Sequence, residues 1–333
     1  MNLEKGNMML MKEINKNALR HALKTLETGT VNRLSELTGL TSMTVGALLD
    51  ELLYDNEVFI DELLSYSGGR PARSYRINAD FSQSIIFYGH EKRGKDTIFV
   101  RIINLLGEVL HGEEMRADAL VLDSFVPVVE RLIQVFPNIK AIGFGFPGTE
   151  SAQTVSKNDY KGISGTRFTE YYKAKFGFRV LFENDTNAAV SGYCRWHPEF
   201  IFKTVCYLYF PGKYPPGCGI WIQGLVHRGR YNLAGEVSYL PLGIDWKKEG
   251  KNKEDDFLAK VSLLVASLCG TLAPDLVVLH GEGIGTSSDR EVRKLLGNLL
   301  PEEFVPEIAL SGDFNLDYEK GMIQLTLDLM EQS

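Results

Sequence analysis

Nowhere among the 333 residues is there an apolar run of the ~20 residues that a helix needs to cross a bilayer. The opening MNLEKGNMMLMKEINK mixes acids with its lysines and has no signal-type apolar core, so a cytoplasmic protein without a membrane partner is expected. Cysteine is scarce: Cys194, Cys206, Cys218 and Cys269 are widely spaced and form no CxxC pair, which excludes a disulfide framework and predicts buried thiols. An excess of positive charge is missing too, with 36 Lys and Arg against 43 Asp and Glu for a net charge of -7. That argues against a protein coated by nucleic acid, but a chain average can hide a local footprint. What is present is an ordinary globular composition, 44% hydrophobic and 24% charged. The length exceeds the ~250 to 300 residues at which a single core stops growing, which predicts more than one domain.

The first eighty residues sort their charge along the chain. Residues 50 to 64 hold Asp50, Glu51, Asp55, Glu57, Asp61 and Glu62 with no base, whereas residues 65 to 79 hold Arg70, Arg73 and Arg76 with no acid. Leu19, Ala22, Leu23 and Leu26 fall at helical spacing, with Gly29 as a natural terminator. Leu34 and Leu37 mark a short amphipathic helix, and Thr38-Gly39 a turn. Ser42 then caps a second helix with Val45, Leu48, Leu49 and Leu52 inward. In a helix-turn-helix the exposed beginning of that second helix meets base edges or phosphate. Here it presents Ser42, Met43 and Thr44, with Arg33 near the start of the preceding helix as a phosphate contact. An interaction-only helical domain fits these helices as well. Strand segments around Val58 to Leu64 and Ser74 to Ile77 flank SGGRPAR. Glycines permit a tight loop there and Pro71 stiffens it, so Arg70 and Arg73 project from a wing suited to phosphate or a narrow groove. A solvated basic hairpin is the alternative. Taken together, helix-turn-helix and arginine-tipped wing point to a DNA-binding domain over residues 1 to 80, its acidic run facing away from the duplex.

From residue 81 to 333 strands and helices alternate, which predicts an α/β body of two lobes. Polar groups at the C-terminal ends of strands meet in the crevice of such sheets. Asn184 and Asp185 stand there, after LFE and before NAAV. Asp185 is suited to accept a proton or a hydrogen bond from a sugar hydroxyl, and Asn184 both donates and accepts. The pair reads equally as a local helix cap. Glu236, in GRYNLAGEVSYLP, is a second isolated acid placed to reach the same cleft, or else a turn carboxylate.

The arrangement as a whole resembles the ROK family of repressors, open reading frames and kinases, in particular its sugar-responsive transcriptional repressors. The residues that carry the resemblance are RLSELTGLTSMTV, SGGRPAR, GFGFPG, Glu183 to Val190 and GRYNLAGEV, and it extends over nearly the full chain. It implies a winged helix-turn-helix followed by an actin- and hexokinase-like (ribonuclease H-like) body, an effector sugar between the lobes, and a homodimer or dimer of dimers on a palindromic operator. Asn184 and Asp185 match the family's sugar-hydroxyl ligands, Asp185 also the base of its kinases, and Glu236 the next sugar contact. The chain then departs from the pattern. Where the family continues AGE with a hydrophobic residue, Gly and a His that contacts the sugar and, in many members, zinc, Val237 is followed by Ser238 and Tyr239. A phenol stacks on or hydrogen-bonds a sugar but does not replace imidazole on zinc. The cysteine cluster expected next is replaced by LPLGIDWKKEGKNKEDDF, so neither a zinc site nor any cofactor is expected. The kinases' early DxGxT loop corresponds to YGHEKRGKDT, with His90, Glu91, Lys92 and Arg93, and the late glycine motif to HGEGIGTS. On these departures the expectation is a sugar-responsive repressor and not an enzyme, with an ATP-dependent carbohydrate kinase as the alternative.

Overall fold

The computed structural model describes residues 3–64, 72–92, 95–117, 120–151, 154–158, 160, 162–246 and 254–331. The chain divides into two compact units, one reaching to Gln83 and including Ile103–Val109, the other formed by Ser84–Ile102 and the chain from Leu110 onward.

In the first unit, helix α1 (Leu3–Leu26) is followed by strand β1 (Thr28–Thr30), helices α2 (Val31–Thr38) and α3 (Ser42–Tyr54), and strands β2 (Val58–Leu64) and β3 (Ala72–Ile77). The three strands form an antiparallel sheet in the order β1-β3-β2. Val45, Leu48, Leu49 and Leu52 all face inward from α3, meeting Leu19 and Leu23 of α1 and Leu34 of α2. The sheet closes this core with Val58, Tyr75 and Ile77. Gly39 ends α2 at φ 70, the left-handed turn that glycine adopts without a Cβ penalty. These elements are the helices and wing strands of a winged helix.

Local details differ from the sequence reading. Helix α1 stops at Leu26 with Glu27 at φ 61, and Gly29 pairs with Tyr75 inside β1 and terminates nothing. Its lack of a side chain serves packing, since a Cβ there would lie 3.0 Å from Leu34. Helix α2 spans eight residues and buries Leu34 alone, leaving Leu37 half exposed. The cap of α3 is Thr41, whose hydroxyl accepts from Thr44 N at 3.2 Å, and Ser42 is the first helical residue.

The second unit holds two five-stranded sheets. The first comprises β4 (Gln83–Lys92), β5 (Lys95–Ile103), β6 (Val109–Arg116), β7 (Ile139–Gly145) and β10 (Arg179–Glu183), in the order β10-β7-β4-β5-β6. A hairpin of β8 (Gly148–Ser151) and β9 (Thr154–Asn158) stands outside it. Helices α4 (Val126–Val135) and α5 (Phe168–Phe176) contribute to its core, where Phe87, Phe125, Phe144, Phe168 and Tyr172 pack ring against ring. Helix α4 follows a turn over residues 122–125, in which Tyr172 donates its hydroxyl to Leu122 O at 2.8 Å.

The second sheet comprises β11 (Thr204–Phe210), β12 (Gly217–Ile222), β13 (Leu225–Val226), β14 (Leu276–Gly281) and β15 (Glu307–Leu310), in the order β13-β12-β11-β14-β15. Its core is filled by α7 (Glu254–Leu272) and α8 (Ser288–Leu296). Helix α6 (Asp185–Trp196) crosses α9 (Phe314–Glu331) closely enough that a Cβ on Gly192 would lie 2.0 Å from Asp317 O, and one on Gly321 1.8 Å from Ala188 O. Only glycine permits that approach. Tyr318 and Met322 of α9 are fully buried, while Leu325 and Leu329 are half-buried. Cys194, Cys206 and Cys218 are buried free thiols and Cys269 is partly buried. Among the described residues, no helix is long and apolar enough to cross a membrane.

Candidate functional site

Strands β7 and β10 run parallel, with Gly145 opposite Glu183, so their C-terminal ends deliver Pro147, Gly148, Asn184 and Asp185 to one place. Asn184 is the cap of α6. Its Oδ1 accepts from Thr186 N at 2.9 Å, Asn187 N at 3.3 Å and Thr186 Oγ1 at 2.7 Å, and its Nδ2 donates to Gly148 O at 3.3 Å. Asn184 is therefore the helix cap and also lines a cavity, and these bonds use one of its two amide hydrogens. Asp185 opens the helix, where the helix dipole favours a carboxylate, and accepts from Thr186 N at 2.8 Å.

Asp185 lines two adjoining cavities. The smaller, about 100 Å³, is shared with Asn184, Thr186, Tyr214, Glu236 and Ser238. Glu236 reaches it because Gly235 turns at φ 89, with its backbone so near Cys218 O that a Cβ would lie 1.8 Å away. The larger, about 310 Å³, extends along Gly89–Glu91, Gly212–Tyr214 and His280–Glu282. Its carboxylates are Glu91, Asp96, Asp185 and Glu282, and its lysine, Lys213, is bound to Asp96 at 3.0 Å. Burial lowers the His90 pKa below the ordinary histidine value, the charge of His280 lowers it further, and Asp313 opposes both. Tyr209 lines both cavities. Burial, then the charges of Asp185 and Glu91, push its phenol well above the usual value, so it stays a hydrogen-bonding hydroxyl at neutral pH.

Asn184, Asp185 and Glu236 thus come together, whereas Tyr239 stands apart. It is 67% exposed and lines a third cavity that shares Glu236 alone with the first. A short 3-10 turn over Val237–Tyr239 sends Ser238 to the small cavity in its place. Sequence reasoning also missed Glu183 and Arg228. The buried Glu183 carboxylate accepts from Asn187 Nδ2 and Asn184 N, each at 3.0 Å, and from Arg228 Nε at 3.0 Å. The acid was visible inside the strand-ending LFEND, where a charge in an apolar run calls for a partner, but nothing in the spacing named Arg228. Among the described residues, no group of three or more His, Cys, Asp or Glu side chains is placed to hold a metal ion.

On the first unit, Ser42 is exposed, Met43 is 86% exposed, and Thr44 is half-buried with its hydroxyl 2.9 Å from that of Thr41. Arg33 is exposed and paired with Glu36 at 3.1 Å. Arg73 is exposed on β3. Arg70 lies outside the described residues.

A solved ROK family transcriptional regulator, described as a homologue of the Escherichia coli MLC protein, superposes with a TM-score of 0.73 over 96% of this chain and 98% of its own, at 14% identity. The chain has the ROK-family fold. No protein-family model matches it. In sequence it is similar to a xylose repressor of Caldicellulosiruptor bescii, 26% identical over 246 residues that make up 70% of this chain and 60% of the repressor. The chain spans about three fifths of the length of the curated relatives it matches. The ROK fold also corrects one expectation. A ROK family glucokinase from Streptomyces griseus, solved with glucose and AMPPNP, shares it with a TM-score of 0.53 over 74% of this chain and 98% of its own, at 14% identity. The expectation that the chain is not an enzyme, drawn from its altered loops, is overturned by that finding: the fold is shared with a glucokinase as well as with a transcriptional regulator.

Proposed function

We propose that this chain is a cytoplasmic, sugar-responsive DNA-binding regulator, most simply a repressor of carbohydrate-utilisation genes that acts as a homodimer or dimer of dimers. The observation that carries the reading is the convergence of Asn184, Asp185 and Glu236 on one cavity of a ROK body that follows a winged helix in the chain. Two carboxylates and an amide hydrogen supply the acceptors and donor that fix a sugar's hydroxyls. Ser42, Met43 and Thr44 would meet base edges, and Arg33, Arg70 and Arg73 phosphate. In a dimer the two winged helices would read half-sites ~34 to 36 Å apart, and sugar binding would change operator affinity through a coupling of ~1 to 3 kcal/mol. The four free cysteines accord with a reducing compartment.

The test is to select duplexes from a random library and compare the wild type with Arg70→Ala/Arg73→Ala at fixed salt. Loss of affinity with a shallower salt dependence supports the wing contact; unchanged specific affinity refutes it. A second reading is an ATP-dependent carbohydrate kinase. Asp185 favours it, because the same carboxylate faces the small cavity and the larger one beside it, where a base between sugar and nucleotide would stand. Sugar-dependent ATP turnover abolished by Asp185→Asn establishes that reading, and absence of turnover with every sugar that binds removes it.

A further inference from the structure

Beyond Glu236 the small cavity does not close off the binding region. The same carboxylate lines a second cavity of about 430 Å³, whose other walls are Thr149, Ser151 and Ser156 of the β8–β9 hairpin and Tyr231, Leu233 and Tyr239 of GRYNLAGEVSY. Three hydroxyls and two aromatic rings stand beside one aliphatic side chain. The two residues are 59% and 67% exposed, so part of each aromatic surface reaches solvent. A pyranose ring has the complementary surface: C–H groups that pack on an aromatic face, and a rim of hydroxyls that exchange hydrogen bonds with Ser and Thr.

The cavity wall is held in place at a conformational cost. Tyr231 and Asn232 follow one another at φ 57 and φ 56, a left-handed conformation that non-glycine residues seldom adopt. It is sustained by Asn232 Nδ2, which donates to Glu150 O at 2.6 Å, and by Ala234 N, which donates to Arg228 O at 3.1 Å. Arg230, itself exposed, lies over one face of the Tyr231 ring at 4.7 Å and donates from Nη2 to its hydroxyl at 3.1 Å. Such preorganisation reduces the cost of binding.

We infer that this cavity is a subsite for a second sugar residue, so that the ligand is a disaccharide or longer chain whose glycosidic bond passes Glu236. The inference rests on the reading of the Asn184–Asp185–Glu236 cavity as the first sugar site. Calorimetry on the full chain with xylose, glucose, xylobiose and cellobiose tests both. The expected result is a disaccharide that binds about tenfold more tightly than its own monosaccharide. Tyr239→Ala and Tyr231→Ala, each with an unchanged unfolding midpoint, should bring the disaccharide down to the monosaccharide's affinity and leave the monosaccharide unaffected. A disaccharide that binds no more tightly, or tyrosine variants that weaken both ligands equally, overturns the second subsite alone. Failure of all four sugars to bind overturns the first site and the second together.

Discussion

Arg228 donates to the buried carboxylate of Glu183 through Nε at 3.0 Å and Nη2 at 2.5 Å, across 45 positions of sequence. Glu183 ends the strand that delivers Asn184 and Asp185, and Arg228 begins the loop that delivers Glu236, so one ion pair ties the two halves of the cavity together. Its removal should be felt twice. Because Glu183 is only 4% exposed, Arg228→Ala leaves a carboxylate desolvated and unpaired, a loss of ~3 to 5 kcal/mol in a fully buried pair. Arg228 is itself 38% exposed, and solvent screening reduces the expectation to about 2 kcal/mol. Denaturant unfolding should show Glu183→Gln combined with Arg228→Ala costing less than the two single changes summed. Additive costs would mean that the pair is not coupled.

The neighbouring residues Asn184 and Asp185 should separate stability from binding. Asn184→Ala removes the acceptor for two backbone N–H groups at the start of α6 and should cost about 1 kcal/mol of stability. Asp185→Asn keeps an oxygen for Thr186 N, so unfolding should shift by less than about 0.5 kcal/mol while sugar binding is lost. Chemical denaturation and calorimetry on the same two variants check this. Equal loss of binding without any loss of stability in Asn184→Ala would contradict its role as the cap.

How much of this was legible in the sequence depends on the range of the interaction. The inward face of α3, strand β2 at Val58–Leu64 and the turn at Gly39 rest on local periodicity and backbone preference, and they stand as read. The cap at Asn184 was likewise one of two local readings of the same residue. The helix end at Glu27, the exposed Leu37 and the cap at Thr41 turn on one or two residues at element boundaries, where neighbouring positions are nearly equivalent energetically. What could not be read is long-range: the pairing of Glu183 with Arg228, and the 3-10 turn that directs Ser238 to one cavity and Tyr239 to another.

His90 offers a test of the larger cavity's electrostatics. Burial and His280 hold its pKa below the ordinary histidine value, and Asp313 pulls the other way. NMR titration should find His90 protonating below the usual range, moving up in His280→Gln and down in Asp313→Asn. As pH falls the unfolded chain takes up this proton first. The contribution of His90 to stability is therefore present above the unfolded value and lost as pH falls through the folded one. A wild-type His90 that titrates at the ordinary value would show that the cavity is not desolvated.

The proposed coupling of sugar to DNA is tested most directly by the affinity for a selected duplex, followed by fluorescence anisotropy at fixed salt, with and without a sugar that binds. The account predicts a change of about 5- to 150-fold, abolished in Asp185→Asn while that variant's sugar-free DNA affinity stays that of the wild type. Identical DNA affinity in the presence and absence of bound sugar would contradict it.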